Sequence, residues 1–317
     1  MQNDPTVTFL IASYNTAGLL DECLSSVYGQ TQTSFEVIVV DDASSDGSPA
    51  MVREKYPEAR VIVNERNMGF VRTNNIGARQ ARGKYLLLLN SDTRLLNDAA
   101  SILAGYLDGH PNAGACGGCL KNADGTAQIS FGSFPSFPQA VSGALFLSDL
   151  FPRARFPSVG KRPIDVPAGA KVVDYISGAD LMVRRSLVDR FGLFDELFEA
   201  YCEEVDLCYR LHHSAGQAIV FVPDAQILHH GGASYGKLGK RRIGLQYQSY
   251  DKFLTKHHGR FYASCTRGLY AWHYAVKLLF RAGRALFTPA ATREAARGEA
   301  RDALYAVRYS LAPPPWR

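Results

Sequence analysis

Apolar residues gather in four short runs over the first 92 positions: Val7 to Ser13, Phe35 to Asp42, Arg60 to Asn64 and Tyr85 to Leu89. Each has the length of a strand rather than a helix. VIVV in the second run and LLLL in the fourth carry no polar interruption, which predicts strands covered on both faces and a mostly parallel sheet. Between the first two runs, Leu19, Leu20, Cys23, Leu24 and Val27 recur at helical steps with polar residues between them, completing a βαβ unit. A short helix over Asp46 to Tyr56, capped by Asp46, and another over Asn74 to Arg82 continue the alternation. In an open parallel sheet the ligand crevice lies beyond the C-terminal strand ends. Those ends are Ala12 to Asn15, Asp41 to Ser44, Asn64 to Asn67 and Asn90 to Asp92.

Composition narrows the class. The 317 residues are 46% hydrophobic, enough for one large α/β domain with an appendage or for two smaller domains. The net charge of +5 hides an asymmetry: residues 1 to 236 carry 19 Lys or Arg against 26 Asp or Glu, and residues 237 to 317 carry 16 against 4. The two parts are expected to face different partners. Six scattered cysteines and the lack of a leader-like N-terminal pattern lead to the expectation of a reducing, cytoplasmic setting. Cys116 and Cys119 form a CxxC without a second one, which reads as ordinary strand or turn cysteines. No run approaches the ~20 apolar residues of a membrane span. Residues 123 to 171, rich in Pro, Gly and Phe and with little periodicity, are expected to form a long loop.

The candidate chemistry lies in two places. YCEEVDLCYRL is followed by ILHHGGAS, and far upstream the fourth run ends in Asn90, Ser91 and Asp92. Carboxylates with an imidazole can hold a hard divalent cation and take a proton from a neighbouring hydroxyl. Blander readings exist for each: Asp41 and Asp42 as helix caps, EEVD as an acidic first turn, the histidines as a surface pair. Asp206 stands four residues before Arg210 and reads as one half of a structural ion pair. A dinucleotide dehydrogenase would show a Gly-rich turn after its first strand, and SYNT is not one.

Taken in order, ASYN, FEVIVVDDASSDGS, NMGFVRTNNIGARQARGKYLLLLNSD, SGADLMVRRSLVDRFGLFDELFEAYCEEVDLCYRL and HHGGAS resemble the successive blocks of family 2 glycosyltransferases with the GT-A fold. The resemblance is to the rhamnosyltransferase-like branch that builds bacterial surface polysaccharides. It implies a Rossmann-like central sheet flanked by helices over residues 1–236, with 1–92 as the nucleotide-binding half and 93–236 as the acceptor-binding half. A basic helical extension follows over 237–317.

The resemblance further implies that Ala12, Tyr14, Asn15 and Asp42 contact the nucleotide. Asn67, Gly69, Phe70, Asn75 and Gly77 would form the donor-site wall, with Asn75 in direct polar contact. Backbone geometry is the competing reason for the two glycines. NSD stands where the family has DxD, so Asn90 and Ser91 would flank the donor and Asp92 would bind Mg²⁺ or Mn²⁺. His229 would complete that site, with His230 as its neighbour. The second acid of EE, Glu204, takes the place of the family's catalytic base, with Glu203 as the alternative. At a helix start the dipole would favour its ionised form. Gly178, Ala179 and Asp180 match the block near the acceptor, where Asp180 either binds sugar hydroxyls or caps a helix from Leu181 onward.

These residues imply an inverting transfer from a dTDP- or UDP-sugar, with dTDP-rhamnose favoured, to a glycan or lipid-linked glycan. A sugar nucleotidyltransferase and a catalytically silent binding module are the alternatives. The aromatic, basic stretch from Arg267 to Phe287 fits a membrane interface, a helix packed on the first domain or a contact between twin subunits. No nucleic-acid-binding fold accompanies the charge. The expected location is the inner face of the cytoplasmic membrane.

Overall fold

The computed structural model describes residues 4–147, 166–231 and 241–287, with isolated helical positions between 301 and 311. The chain divides into two compact units, residues 1–134 with 163–237, and residues 135–162 with 238–317. The second unit therefore takes in a segment that the sequence reading assigned to the first.

Unit one is α/β. Its main sheet is built from β1 (Val7–Ser13), β2 (Phe35–Asp41), β3 (Arg60–Val63), β4 (Tyr85–Leu89), β5 (Thr93–Leu95), β6 (Ala113–Lys121), β8 (Lys171–Val173), β10 (Asp180–Arg184) and β11 (Ala218–His229). The strand order is β3-β2-β1-β4-β10-β6-β11-β5, with β8 also on β11. Short β7 (Phe131–Gly132) and β9 (Tyr175–Ile176) pair separately. The sheet is mostly parallel, as expected, with β10, β5 and β8 running against the rest.

Alternation along the continuous apolar strands feeds two cores. Phe9, Ile11, Val37, Val39, Leu87 and Leu89 meet α1 (Ala17–Gln30) and α4 (Ala99–Gly109) on one face. Leu10, Ile38, Val40, Leu86 and Leu88 lie on the other, with Val71 of α3 (Phe70–Ala78) and Leu207, Cys208 and Leu211 of the helix Glu203–Ala215. A methyl group at Gly77 would collide with Leu10 Cδ1, so this glycine lets α3 approach the sheet closely.

Several elements differ from expectation. Helix α3 starts at Phe70, four residues before Asn74, because Gly69 at φ +83° turns the chain into it, and Asn74 lies inside, donating to Phe70 O at 2.9 Å. The helix α2 (Ser48–Lys55) is entered through Gly47 at φ +85°, while Asp46 Oδ1 accepts from Ser48 N at 3.0 Å. Asp180 caps no helix: it opens β10 opposite Leu89, and the helix α6 (Arg185–Phe191) begins only after that strand. Cys116 and Cys119 are buried, unpaired thiols of β6, and burial pushes both up.

The stretch 123 to 171 is not a single loop. It holds β7 and α5 (Phe137–Ala144), whose capping box joins Ser136 and Gln139; residues 148–165 lie outside the described part. Pro138 in the first helical turn reads in sequence as a loop signal, although it suits a helix start. Helix α5 packs in unit two, where Phe137 N donates to Tyr262 Oη at 2.6 Å and His273 Nδ1 meets Gly143 O at 2.6 Å. The other helices there are α8 (Arg241–His258) and α9 (Arg260–Phe287). Lys237, Lys240 and most of the helix expected over 288 to 312 lie outside the described residues. No helix among the described residues is long and apolar enough to cross a membrane.

Candidate active site

Strand order reverses between β1 and β4, and this brings the ends of those strands together. Thr16 Oγ1 donates to Ser91 Oγ at 3.0 Å and stands 3.1 Å from Ser13 Oγ, so ASYN and NSD share one wall. Ala12 is half-buried at the end of β1 opposite Val40, and Tyr14 is 39% exposed, its ring available as a stacking face. Asn15 adopts φ 52°, donates its N–H to Ser44 Oγ at 2.8 Å and accepts from Ser45 N at 2.8 Å. Its side chain ties the first strand end to the second.

Asp42 has a structural duty. Its Oδ1 accepts from Asn64 Nδ2 at 2.8 Å and Met68 N at 2.7 Å, and its Oδ2 from Gly69 N at 2.9 Å. The carboxylate thereby shapes the loop carrying exposed Asn67, with about one of its four acceptor positions left over. Asn75 departs from the expected direct contact. Its Nδ2 donates to Phe194 O at 2.9 Å and its Oδ1 accepts from Phe194 N at 3.0 Å, so both ends of the amide brace α3 against the 191–198 loop. Arg210 grips the same loop: Nε meets Asp206 Oδ2 at 2.8 Å and NH1 donates to Phe191 O at 2.7 Å. The Asp206–Arg210 pair is structural, as its spacing implied.

The end of β11 lies against β5, which follows NSD directly. This places His229 Nε2 3.4 Å from Asp92 Oδ1 and 3.5 Å from Asn90 Nδ2. His230 donates its N–H to Asp92 O at 2.9 Å but directs its ring to Glu22 Oε2, 3.1 Å away. Only the first histidine of the pair faces the Asp92 carboxylate. Among the described residues no group of three His, Cys, Asp or Glu could hold a metal ion. A hard oxygen and an imidazole nitrogen fit a divalent cation that takes its other ligands from phosphate and water.

The antiparallel course of β10 carries the third part of the site. Asn90 N donates to Ala179 O at 3.1 Å, and a methyl at Gly178 would stand 3.7 Å from Glu204 Cβ. The segment Gly178 to Asp180 is therefore a shared wall, touching NSD on one side and the acid pair on the other. Tyr201 and Cys202, at φ 67° and 66°, turn the chain sharply into the helix Glu203–Ala215. Such backbone costs about 1–3 kcal/mol per residue and fixes where the two glutamates emerge.

Burial, not the helix dipole, controls these acids. Desolvation pushes Glu204 up to about 7, opposed by the backbone N–H groups of Glu204 and Val205. Glu203 rises well above the ordinary range through desolvation and the neighbouring Glu204. The charge of Glu204 raises Glu203 further, while two backbone N–H groups hold Glu204 down, and neither Oε2 has a hydrogen-bond partner among the described residues. Asp180 is also fully buried: its Oδ2 accepts from Gly118 N at 2.7 Å, and desolvation raises it to about 8. Burial thus disfavours the charged form of all three acids, with Glu204 raised to about 7 and Asp180 to about 8.

Sequence reasoning missed Thr16, Glu22 and Gln128, and placed Ser44 at a strand end without its bond to Asn15. Each acts through a partner distant in the chain, such as Gln128 with His229, and no local pattern marks them.

Known proteins place this geometry in a family. Residues 8–191, more than half of the chain, match the family described as Glycosyl transferase family 2. Similarity extends to an N-acetylglucosaminyl-diphospho-decaprenol L-rhamnosyltransferase of Mycobacterium tuberculosis, 27% identical over 257 residues, covering 78% of this chain and 83% of that protein. The succinoglycan biosynthesis protein ExoO of Rhizobium meliloti is 38% identical over 95 residues, 30% of this chain and 27% of that one. Among solved structures, GalNAc-T7 with UDP, GalNAc and Mn²⁺ superposes with a TM-score of 0.57 at 16% identity, covering 80% of this chain and 48% of that one. The mannosyltransferase PcManGT of Pyrobaculum calidifontis, with GDP-Man and Mn²⁺, gives 0.55 at 17% identity, over 98% and 88%. Both neighbours share the GT-A fold. The chain is a glycosyltransferase with the GT-A fold and belongs to glycosyl transferase family 2.

Proposed function

We propose that the chain is a metal-dependent, inverting glycosyltransferase that moves a sugar, rhamnose being favoured, from a dTDP- or UDP-sugar to a hydroxyl of a lipid-linked or growing surface glycan. The observation that carries this reading is the Asp92–His229 pair at 3.4 Å, one shared wall away from Glu204. The Mycobacterium relative acts by name on a diphospho-decaprenol substrate as an L-rhamnosyltransferase, which favours rhamnose and a lipid-linked acceptor.

Asp92 and His229 would hold Mg²⁺ or Mn²⁺, with Asn90 beside them and Ser91 in the wall behind. When bound, the cation offsets the charge that develops on the diphosphate leaving group. Tyr14, Ala12 and Asn15 line the end of β1 where the base would stack, and Asp42 holds the loop around Asn67. Gly178, Ala179 and Asp180 form the acceptor side. Neutral Asp180 keeps the Gly118 contact in a wall that contributes no second charge.

As the C1–O bond to the β-phosphate breaks, its electron pair stays with the phosphate oxygen. The acceptor oxygen bonds to C1 from the opposite face and passes its proton to Glu204. One base gives one displacement, so the anomeric configuration inverts. The test is to incubate the full chain with MnCl₂, a panel of dTDP- and UDP-sugars and a polyprenyl-diphosphate-linked GlcNAc acceptor. Acceptor-dependent release of free nucleoside diphosphate is expected, greatest with dTDP-rhamnose. Release of nucleoside monophosphate, or no turnover with any donor, would contradict the reading.

The second unit is assigned to the membrane surface. Helix α9 exposes Phe261 at 85%, Trp272 at 60% and Leu279 at 73%, and their spacings of 11 and 7 put all three on one stripe. Rings and aliphatic groups on a basic helix suit an anionic lipid interface, where a lipid-linked acceptor would also reside. Replacing the three by Ser is expected to abolish co-flotation with vesicles of phosphatidylglycerol and phosphatidylethanolamine. Undiminished flotation of that variant would remove the assignment.

A further inference from the structure

We propose that Gln128 is a positioning residue that holds His229 as its Nδ1–H tautomer, turning the lone pair of Nε2 toward Asp92. This rests on the reading of Asp92 and His229 as metal ligands. His229 Nδ1 lies 2.9 Å from Gln128 Oε1. The other arm of the amide, Nε2, donates to His229 O at 2.6 Å and to Asn122 Oδ1 at 2.7 Å. With its amide reversed, Gln128 would aim its oxygen at two other oxygens. The amide orientation is thus fixed, Gln128 Oε1 can only accept, and Nδ1 must carry the proton.

The polarity is set further out. Thr126 Oγ1 donates to Asp124 Oδ1 at 2.5 Å, and a carboxylate only accepts. Thr126 Oγ1 must then accept from Asn122 Nδ2 at 2.9 Å, which leaves Asn122 Oδ1 as the acceptor for Gln128. The backbone makes this a rigid turn: Asn122 N donates to Thr126 O at 2.8 Å, Gly125 N to Asn122 O at 2.9 Å, and Gly125 takes φ +81°. Gln128 N is bonded to Leu120 O at 2.7 Å, which anchors the turn to β6. At the other end Asn90 Nδ2 points a donor at Nε2, as the assigned tautomer requires. A ring with the opposite tautomer would direct a proton into the place of the cation.

The test reads the tautomer before any metal is added. In long-range ¹⁵N–¹H spectra of the metal-free full chain, His229 is expected to show Nδ1–H. Gln128→Met, which removes the acceptor at similar length, is expected to shift His229 to a mixture or to Nε2–H. The same change should weaken Mn²⁺ binding in the presence of dTDP, followed by Mn²⁺ EPR, by about 10–100-fold. An Nε2–H ring in the wild type, or a tautomer indifferent to Gln128→Met, overturns the proposal. If the tautomer responds as stated but His229→Ala binds Mn²⁺ like the wild type, the metal-ligand reading falls instead.

Discussion

Glu204→Gln is expected to reduce acceptor-dependent turnover by about 10³-fold, within the range that general-base catalysis contributes, while leaving binding of dTDP intact. The substitution keeps the size of the side chain at the start of its helix and removes only the ability to take a proton. Glu203→Gln is expected to stay within a few-fold of wild type. Desolvation and the neighbouring Glu204 both raise Glu203 well above the ordinary carboxylate range, which disfavours the charged form that a base must supply. The pH profile separates this assignment from a purely structural one. A base works only when deprotonated, and burial has lifted Glu204 to about 7, so kcat/KM for the acceptor should rise as pH increases through about 7. An unperturbed glutamate would give its rise near 4.5. Wild-type turnover in Glu204→Gln together with an inactive Glu203→Gln would transfer the role to Glu203.

Asp92→Asn is expected to lower turnover by about 10²-fold or more and to raise the Mn²⁺ concentration needed for half-maximal rate. Loss of one formal negative charge weakens the grip on a hard cation, while the β4–β5 turn keeps its backbone bond from Thr93 N to Asn90 O at 3.2 Å. His230→Ala serves as the control. Its ring faces Glu22 Oε2 at 3.1 Å rather than the Asp92 carboxylate, so activity within a few-fold of wild type is expected. Unchanged turnover of Asp92→Asn in the presence of EDTA would exclude the cation from the reaction.

Much of this was legible in the residues because it depends on short-range physics. The strands from Val7, Phe35, Arg60 and Tyr85 begin where their apolar runs begin; β1 and β4 are buried almost throughout, which leaves little room for polar residues, whereas β3 is an exposed edge strand found from its run of Val and Ile alone. The Asp206–Arg210 pair followed from helical spacing alone. Features that depend on partners far along the chain were not legible. Asp180 looked like a cap because Asp caps helices, but the open position between β4 and β6 draws it into a strand. Asn75 looked like a ligand contact until Phe194, 119 residues away, took both ends of its amide. For Glu204 the helix start was readable and its consequence was not, because the sign of the shift depends on how much water the fold removes.

The most direct test of the proposed site is anomalous diffraction at the manganese edge from crystals of the full chain grown with MnCl₂ and dTDP. A single strong peak is expected within about 2.0–2.3 Å of both an Asp92 carboxylate oxygen and His229 Nε2. The diphosphate should complete its coordination, with Glu204 on the far side of the Gly178–Asp180 wall. A peak bound by Glu203 and Glu204, or by neither pair, would contradict the assignment of cation and base.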